Sequence, residues 1–175
     1  MTTADNEIYP GLSAPSGFGI VPGQAFHDHS GLEVLRMIIA GELPAPPMSK
    51  TLSLGIVEVD EGRAVFKGMP REEYLNPVGT IHGGWTATIM DSALACSIQT
   101  VLRKGEAFTT TEFKVNLIRP ILPDTGEVTC EAKVVSRGRT IGVSECRVVD
   151  SRGRMMAFGT ETCSIFPATR MTERK

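Results

Sequence analysis

The sequence has few of the residues that mark metal-binding, nucleic-acid-binding or disulfide-stabilised proteins. Its 175 residues include three histidines, four cysteines and one tryptophan, and the formal net charge at pH 7 is −2. No basic run is present, which argues against a nucleic-acid partner or an anionic membrane surface. The cysteines lack metal-ligand spacing, so they are interpreted as small buried side chains in a reducing compartment, and no metal is expected.

Targeting segments are also lacking. The first ten residues have neither the charged region nor the apolar region of a secretory signal, so a cytoplasmic location is expected. Residues 85–102 form an apolar stretch long enough to resemble a membrane span. That stretch contains Asp91, Gln99 and several serines and threonines, and no second segment supports it, so no membrane residence is expected.

The length fits a single domain with a proper core. Residues 1–25, rich in Gly, Pro and Ser, predict an extended or mobile leader, residues 26–168 a single domain and residues 169–175 a tail. A short N-terminal helix is expected to begin at Ser30, which forms a capping box with Glu33, and to end at Gly41.

The rest of the chain predicts an α+β fold. Residues 85–102 read as a helix with neither an apolar stripe nor a polar face, which is typical of a helix buried on all sides. The short turns between the predicted strands indicate antiparallel neighbours, and a sheet must curl around the helix to bury it. The strands are expected at residues 51–59, 63–67, 108–118, 127–136, 140–149 and 155–166.

A carboxylate stands in the middle of the predicted buried helix. Asp91 has no basic residue within one helical turn. Burying an unpaired, ionised carboxylate is costly, so a chain that keeps one has either a hidden partner for it or a chemical use. Asp91 is therefore a candidate functional residue.

The segment before this helix adds further candidates. His82, Gly83 and Gly84 lie where the helix is expected to begin, and the first N–H groups of a helix are free and lie at the positive end of its dipole. Such an end can hold an anion or stabilise an oxyanion. Tight packing at a sharp turn is the plainer interpretation of two glycines, but Asn76 places another hydrogen-bonding group close by.

The spacing between His82 and Asp91 has a geometric consequence. Nine residues along a helix place the two side chains roughly 13 Å apart on opposite sides of its axis. They cannot meet on one small substrate atom within one chain. If both serve one site, a second subunit supplies one of them, which predicts a site at a dimer interface.

The pattern Asn76-x-x-Gly79-x-x-His82-Gly83-Gly84, with Asp91 nine residues beyond the histidine, resembles the signature of PaaI-type acyl-CoA thioesterases of the hotdog superfamily. The resemblance covers roughly residues 32–166. It includes the segment T-T-T-E-F-K-V-N-L-I-R-P at 109–120, S-R-G-R at 136–139 and the strand ending T-C-S-I-F at 162–166.

The resemblance implies a hotdog fold, in which a curved antiparallel sheet of about six strands wraps around one long helix. It implies that the N–H of Gly84, with Gly83 nearby, stabilises the oxyanion of a thioester under attack. Asp91 of the partner subunit corresponds to the nucleophile or the general base, and these two roles are both left open. Asn76 and His82 correspond to positions that orient water or the thioester.

The remaining implied residues have plainer alternatives. Thr110 corresponds to a Ser/Thr position near the carboxylate, or it is an ordinary strand threonine. Arg137 and Arg139 could pair with coenzyme A phosphates, or they lie at a solvated hairpin tip. Coenzyme A is part of the substrate, so no separate cofactor is expected. A homodimer is expected, with a homotetramer built as a dimer of dimers.

Two other functions are compatible with such a fold. A non-catalytic acyl-CoA-binding or regulatory protein tends to lack the helix carboxylate, whereas Asp91 is present. A dehydratase or hydratase would need an acid in the loop before the helix, and residues 76–82 contain none. Thioester hydrolysis is therefore the leading hypothesis.

Overall fold

The computed structural model describes residues 6–169, and the predictions made for residues 1–5 and 170–175 lie outside it. An N-terminal group of short elements precedes the main sheet: β1 (Glu7–Tyr9), β2 (Leu12–Ser13), α1 (Gly23–Asp28), α2 (Gly31–Ala40) and α3 (Pro47–Leu52). The remaining helix and strands are β3 (Leu54–Asp60), β4 (Arg63–Gly68), α4 (Gly83–Thr100), β5 (Glu106–Leu117), β6 (Val128–Arg137), β7 (Ile141–Val149) and β8 (Met155–Pro167).

A six-stranded antiparallel sheet surrounds the long helix α4. The strand order is β3-β4-β6-β7-β8-β5, so β3 and β5 form the two edges. α4 contacts all six strands, and Ile89, Met90, Ala93, Leu94 and Ile98 on it have no solvent exposure. The α+β hotdog fold expected from the sequence is confirmed, because a helix without a polar face needs apolar partners on every side.

Two predicted boundaries need correction. The long helix extends from Gly83 to Thr100 rather than from residue 85 to 102, because His82 caps its first turn. The first strand of the sheet begins at Leu54 rather than at residue 51. Pro47 stands at the start of α3, a position that proline tolerates because its missing N–H has no helical partner, and this helix includes residues 51 and 52.

The short helix α2 matches its prediction. The side chain of Ser30 accepts the backbone N–H of Glu33, the carboxylate of Glu33 accepts the backbone N–H of Ser30, and Gly41 ends the helix in a left-handed conformation with φ of 76°. A Cβ at Gly31 would lie 1.9 Å from the carbonyl oxygen of Gln99. Only glycine therefore allows α2 to approach the end of α4 this closely.

The described part of the leader is packed against the domain. Ile8 and Tyr9 are buried, and the Tyr9 hydroxyl donates to Glu127 Oε2 at 2.9 Å. Together with α2 and β3, this segment encloses an apolar cavity of about 480 Å³, which Cys96 and Gln99 of α4 also line. Within residues 6–169, no helix is long and apolar enough to cross a bilayer.

Candidate active site

The N-terminus of α4 is organised by His82. This residue is the N-cap, and its Nδ1 accepts the backbone N–H of Gly84 at 2.9 Å. With Nδ1 accepting, a neutral imidazole carries its proton on Nε2, which is then a donor at the other edge of the ring. His82 and Gly84 are exposed and Gly83 is half-buried, so this end of the helix is open to a ligand.

The two glycines at this end provide space rather than unusual backbone angles, since neither has a positive φ. A Cβ at Gly84 would lie 3.0 Å from His82 Nδ1, and a Cβ at Gly83 would lie 2.9 Å from Leu117 Cδ1. The pair therefore allows the imidazole and a β5 side chain to sit against the first turn. None of the hydrogen bonds within the described residues uses the N–H of Gly83, which leaves it free.

Asn76 shapes the loop that leads to the helix. Its Oδ1 accepts the backbone N–H groups of Val78 and Thr80, at 3.0 and 3.2 Å. Its Nδ2 donates to Thr80 Oγ1 at 2.7 Å. These bonds within residues 76–80 are the Asx-turn pattern, in which a short polar side chain replaces backbone hydrogen bonds. Asn76 thus fixes the approach of the chain to His82.

Asp91 lies on α4 between the helix and the edge of the sheet. Its side chain is half-buried, and this partial burial raises the pKa of its carboxyl group above the ordinary value, while a hydrogen bond from Thr110 partly opposes the shift. Its Oδ1 is 3.5 Å from Thr110 Oγ1. Among the residues the structure describes, no cation pairs with Asp91.

A β-bulge places Thr110 next to Asp91. The register between β5 and β8 shifts between Thr110 and Glu112, so Thr111 is an extra residue whose hydroxyl bonds to the carbonyl of Thr162. Thr110 is opposite the fully buried Cys163, and Thr109 is exposed. Of the three consecutive threonines, Thr110 is therefore the one that reaches the carboxylate, and a bulge beside it is typical of a site where one side chain is redirected.

The sequence interpretation missed one residue of this cluster. Glu161 on β8 has no solvent exposure, and its Oε1 is 2.8 Å from Thr110 Oγ1. The signal was available, because the two-residue alternation of β8 places Glu161 on the same face as Ala157, Gly159 and Cys163. Asp91, Thr110 and Glu161 thus form a group in which one hydroxyl lies between two carboxyl groups. Glu161 is fully buried, and the other two residues are half-buried.

The two arginines differ in their surroundings. Arg137, the last residue of β6, has 22% side-chain exposure and pairs with Glu106 at the start of β5. Arg139 lies in the following turn, where it is exposed and makes no ion pair within residues 6–169. Of these two arginines, Arg139 is the one that presents a guanidinium without an ion-pair partner to solvent.

A comparison with protein families gives a match to the model of the thioesterase superfamily over residues 78–157. That segment includes His82, the glycine pair, Asp91 and Thr110, and it lies within the hotdog sheet and helix described above. Over this segment the chain is similar to the thioesterase superfamily.

Several known proteins resemble the chain over most of the domain. A provisionally named esterase of Caenorhabditis elegans is 35% identical over 114 residues, and the match spans 63% of this chain and 65% of that protein. Human acyl-coenzyme A thioesterase 13 is 25% identical over 135 residues, covering 73% and 91% of the two chains. The phenylacetic acid degradation protein PaaI of Thermus thermophilus, solved as a variant, is 28% identical, with 67% and 97% coverage and a TM-score of 0.61.

Proposed function

We propose that this chain hydrolyses an acyl-CoA or aryl-CoA thioester to the free acid and coenzyme A. The observation that carries the proposal is the environment of Asp91. This half-buried carboxylate forms no ion pair with the described residues and accepts a hydrogen bond from Thr110. A carboxylate in such surroundings is more basic than one in water, which suits it to accept a proton or to attack a carbonyl.

Asp91 has two candidate roles in the reaction. As a general base it takes a proton from water while the water oxygen bonds to the thioester carbon. As a nucleophile it bonds to that carbon itself and forms an anhydride that water then hydrolyses. In both routes the carbonyl oxygen becomes an oxyanion, and its collapse breaks the C–S bond and expels coenzyme A thiolate.

The N-terminus of α4 is the proposed oxyanion site. The N–H of Gly83 is free, and the Nε2–H of His82 provides a second donor on the exposed side of the ring. The Gly84 N–H becomes available when the His82 ring turns away from it. A substrate carbonyl oxygen can then replace Nδ1 as the acceptor of this N–H. Donors at a helix N-terminus stabilise developing negative charge without reorganising during the reaction.

The site is proposed to be shared between two copies of the chain. His82 precedes α4 and Asp91 lies in its middle, so they face different parts of the surface. β5 offers an interface, since it is a twelve-residue edge strand with the exposed apolar side chains Phe113 and Leu117. A long apolar edge strand favours pairing with another strand. We propose a homodimer through β5, with a dimer of dimers as the larger assembly.

Coenzyme A recognition is assigned chiefly to Arg139. Its exposed guanidinium can pair with a phosphate, whereas Arg137 is held by Glu106 and helps to fix the turn. Arg137 is therefore proposed to position the turn that carries Arg139.

The proposal is tested with a panel of aryl, short-chain and long-chain acyl-CoAs and a thiol reagent that detects free coenzyme A. Turnover of one class, lost in Asp91→Asn, is the expected result. A non-catalytic acyl-CoA-binding protein would bind members of the panel in calorimetry without releasing coenzyme A, and that result would replace hydrolysis with binding as the function.

A further inference from the structure

Glu161 is a buried carboxyl group that the proposed reaction does not use. It lies on the inward face of β8, between the buried Gly159 and the fully buried Cys163. An apolar residue would fill this position at no electrostatic cost. A buried carboxyl group is retained more readily where it is neutral or performs a task.

Glu161 has few hydrogen bonds for a buried carboxyl group, and all of them are made by one of its two oxygens. Its Oε1 is near Thr110 Oγ1 and 3.0 Å from the thiol of Cys163, which donates to it. Its Oε2 is buried and has no hydrogen-bond partner among the described residues. Burial, together with the charge of Asp91, raises the pKa of Glu161 to about 7, although the two hydrogen bonds oppose this shift.

Thr110 has one hydroxyl proton and two carboxyl neighbours. If Glu161 and Asp91 were both ionised, they would compete for this proton, and their charges would repel each other. If Glu161 is protonated, it donates to Thr110 Oγ1, and Thr110 is then free to donate to Asp91. Thr110 Oγ1 is 2.8 Å from Glu161 Oε1 and 3.5 Å from Asp91 Oδ1. The hydrogen bond to Asp91 is therefore the one that can shorten.

We propose that protonated Glu161 is a positioning residue that directs the Thr110 hydroxyl proton to Asp91 and leaves Asp91 as the only anion of the group. The part of this inference that concerns turnover rests on the proposed thioesterase function. When Glu161 ionises, the Thr110 hydroxyl donates its hydrogen bond to Glu161 instead of Asp91. A second negative charge then also lies beside the reacting thioester, where an oxyanion must form. Both effects slow the reaction above neutral pH.

The titratable groups around Glu161 are few. Asp91 and Cys96 approach from α4, and Cys163 lies on the same strand, with both thiols kept protonated because burial raises the pKa of each. Its cross-strand neighbours are Phe113 on β5 and Ser144 on β7, neither of which carries charge. Within the described chain, the ionisation of Glu161 is thus coupled mainly to Asp91.

The test compares the pH dependence of kcat/KM in the wild type, Glu161→Gln and a control, Glu112→Gln. The glutamine amide copies the protonated acid, since it donates to Thr110 at every pH. The wild type should lose at least about tenfold between pH 6 and pH 9, because at two pH units above its pKa only about 1% of an acid is protonated. Glu161→Gln should stay within about twofold of the wild type at pH 6 and lack this alkaline decline.

Glu112 is the matched control because it lies on β5 beside the bulge, is exposed and contacts Thr162 rather than Thr110. Glu112→Gln should keep the wild-type profile. A merely structural role for Glu161 would lower the activity of Glu161→Gln equally at all pH values, and that result would overturn the proposal. An unchanged alkaline decline in Glu161→Gln would do the same.

A measurement without turnover separates this inference from the proposed function. Carboxyl-carbon NMR titration of the wild type should show Glu161 and Asp91 titrating in coupled steps, with the upper step near pH 7, and Thr110→Val should raise the pKa of Asp91. Independent titration of the two groups would overturn the proposal. A coupled titration in a protein that hydrolyses no thioester would support the pairing and reject the thioesterase function.

Discussion

His82 Nδ1 and the backbone N–H of Gly84 are 2.9 Å apart, so the side chain that precedes α4 occupies one of the donors at the helix end. The family resemblance implies that the Gly84 N–H stabilises the oxyanion, whereas in the structure this N–H is paired with His82 Nδ1. The pairing fixes the imidazole tautomer and leaves Nε2–H and the Gly83 N–H as the ready donors. The cap and the proposed oxyanion site therefore share the imidazole ring and the first turn of α4 but use different atoms.

Two substitutions at His82 separate these roles. His82→Ala removes both the cap and the ring, so it should lower the free energy of unfolding by about 1 kcal/mol and reduce kcat/KM by roughly tenfold to a hundredfold. His82→Asn keeps a good N-cap acceptor but has no Nε2–H, so it should unfold like the wild type and still lose activity. Denaturant titration with parallel kinetics measures both. Full activity in His82→Asn would contradict a role for the imidazole beyond capping.

Asp91→Asn should preserve the fold and the assembly while reducing turnover by about a hundredfold or more. The amide keeps the shape of the side chain and its contact with Thr110 but can neither accept a proton readily nor attack a carbonyl. Asp124→Asn, in an exposed 3₁₀ turn, is the control and should turn over normally. Near-normal turnover in well-folded Asp91→Asn would remove Asp91 from the mechanism.

Mixed assemblies test whether the site is shared. His82→Ala and Asp91→Asn homodimers should each be nearly inactive. When the two chains are co-assembled, one of the two sites has both native residues, so about half of the wild-type activity per such dimer should return. No recovery in purified heterodimers would place both residues of each site in one chain. Light scattering of the active fraction checks the accompanying expectation that no monomer is active.

The elements that the sequence predicted correctly are those with a local physical signal. α4 is predictable because it has no polar face, and α2 because Ser30 and Glu33 make a capping box whose bonds involve only neighbouring residues. The start of β3 is not predictable from the local sequence, because the residues of α3 are also acceptable in a strand and α3 packs against the leader.

The site was predictable only in part for a related reason. Asp91 was identified because a carboxylate in an apolar helix is conspicuous in a sequence. Glu161 is one polar residue in a strand with exposed polar neighbours, and its burial depends on α4 covering β8. Its contact with Thr110 further depends on a bulge that shifts the register of two strands distant in sequence. Long-range pairing of this kind leaves no local pattern.

Protein stability should depend on pH through Glu161. The folded-state pKa is about 7, raised from 4.5, so the folded protein binds the proton more tightly than the unfolded chain does. The contribution is therefore fully present below about pH 4.5 and is lost as the pH rises through 7. Relative to Glu161→Gln, the wild type should lose roughly 2 to 3 kcal/mol of unfolding free energy between pH 5 and pH 8.5.

Urea titrations of both proteins at several pH values measure this difference, and other titrating groups cancel in the comparison. Thr110→Val offers a second check, since it removes a hydrogen bond that favours the ionised form of Glu161 and should shift the loss to higher pH. A difference between the wild type and Glu161→Gln that is constant with pH would show that Glu161 titrates in the folded protein as it does in the unfolded chain.

Arg137 and Arg139 should give different kinetic and stability effects when substituted. Arg139→Ala removes an exposed charge that can pair with a coenzyme A phosphate far from the thioester, so KM should rise several-fold with little change in kcat. The effect should weaken at high salt, because exposed charges are screened beyond roughly 10 Å at 0.1 M. It should be absent with an acyl-pantetheine, which lacks the nucleotide.

Arg137→Ala instead leaves Glu106 without its ion-pair partner and should lower the unfolding free energy by about 1 kcal/mol. Equal KM values for full-length and truncated thioesters across both variants would show that neither arginine contacts the nucleotide, since only a phosphate contact penalises one substrate and spares the other.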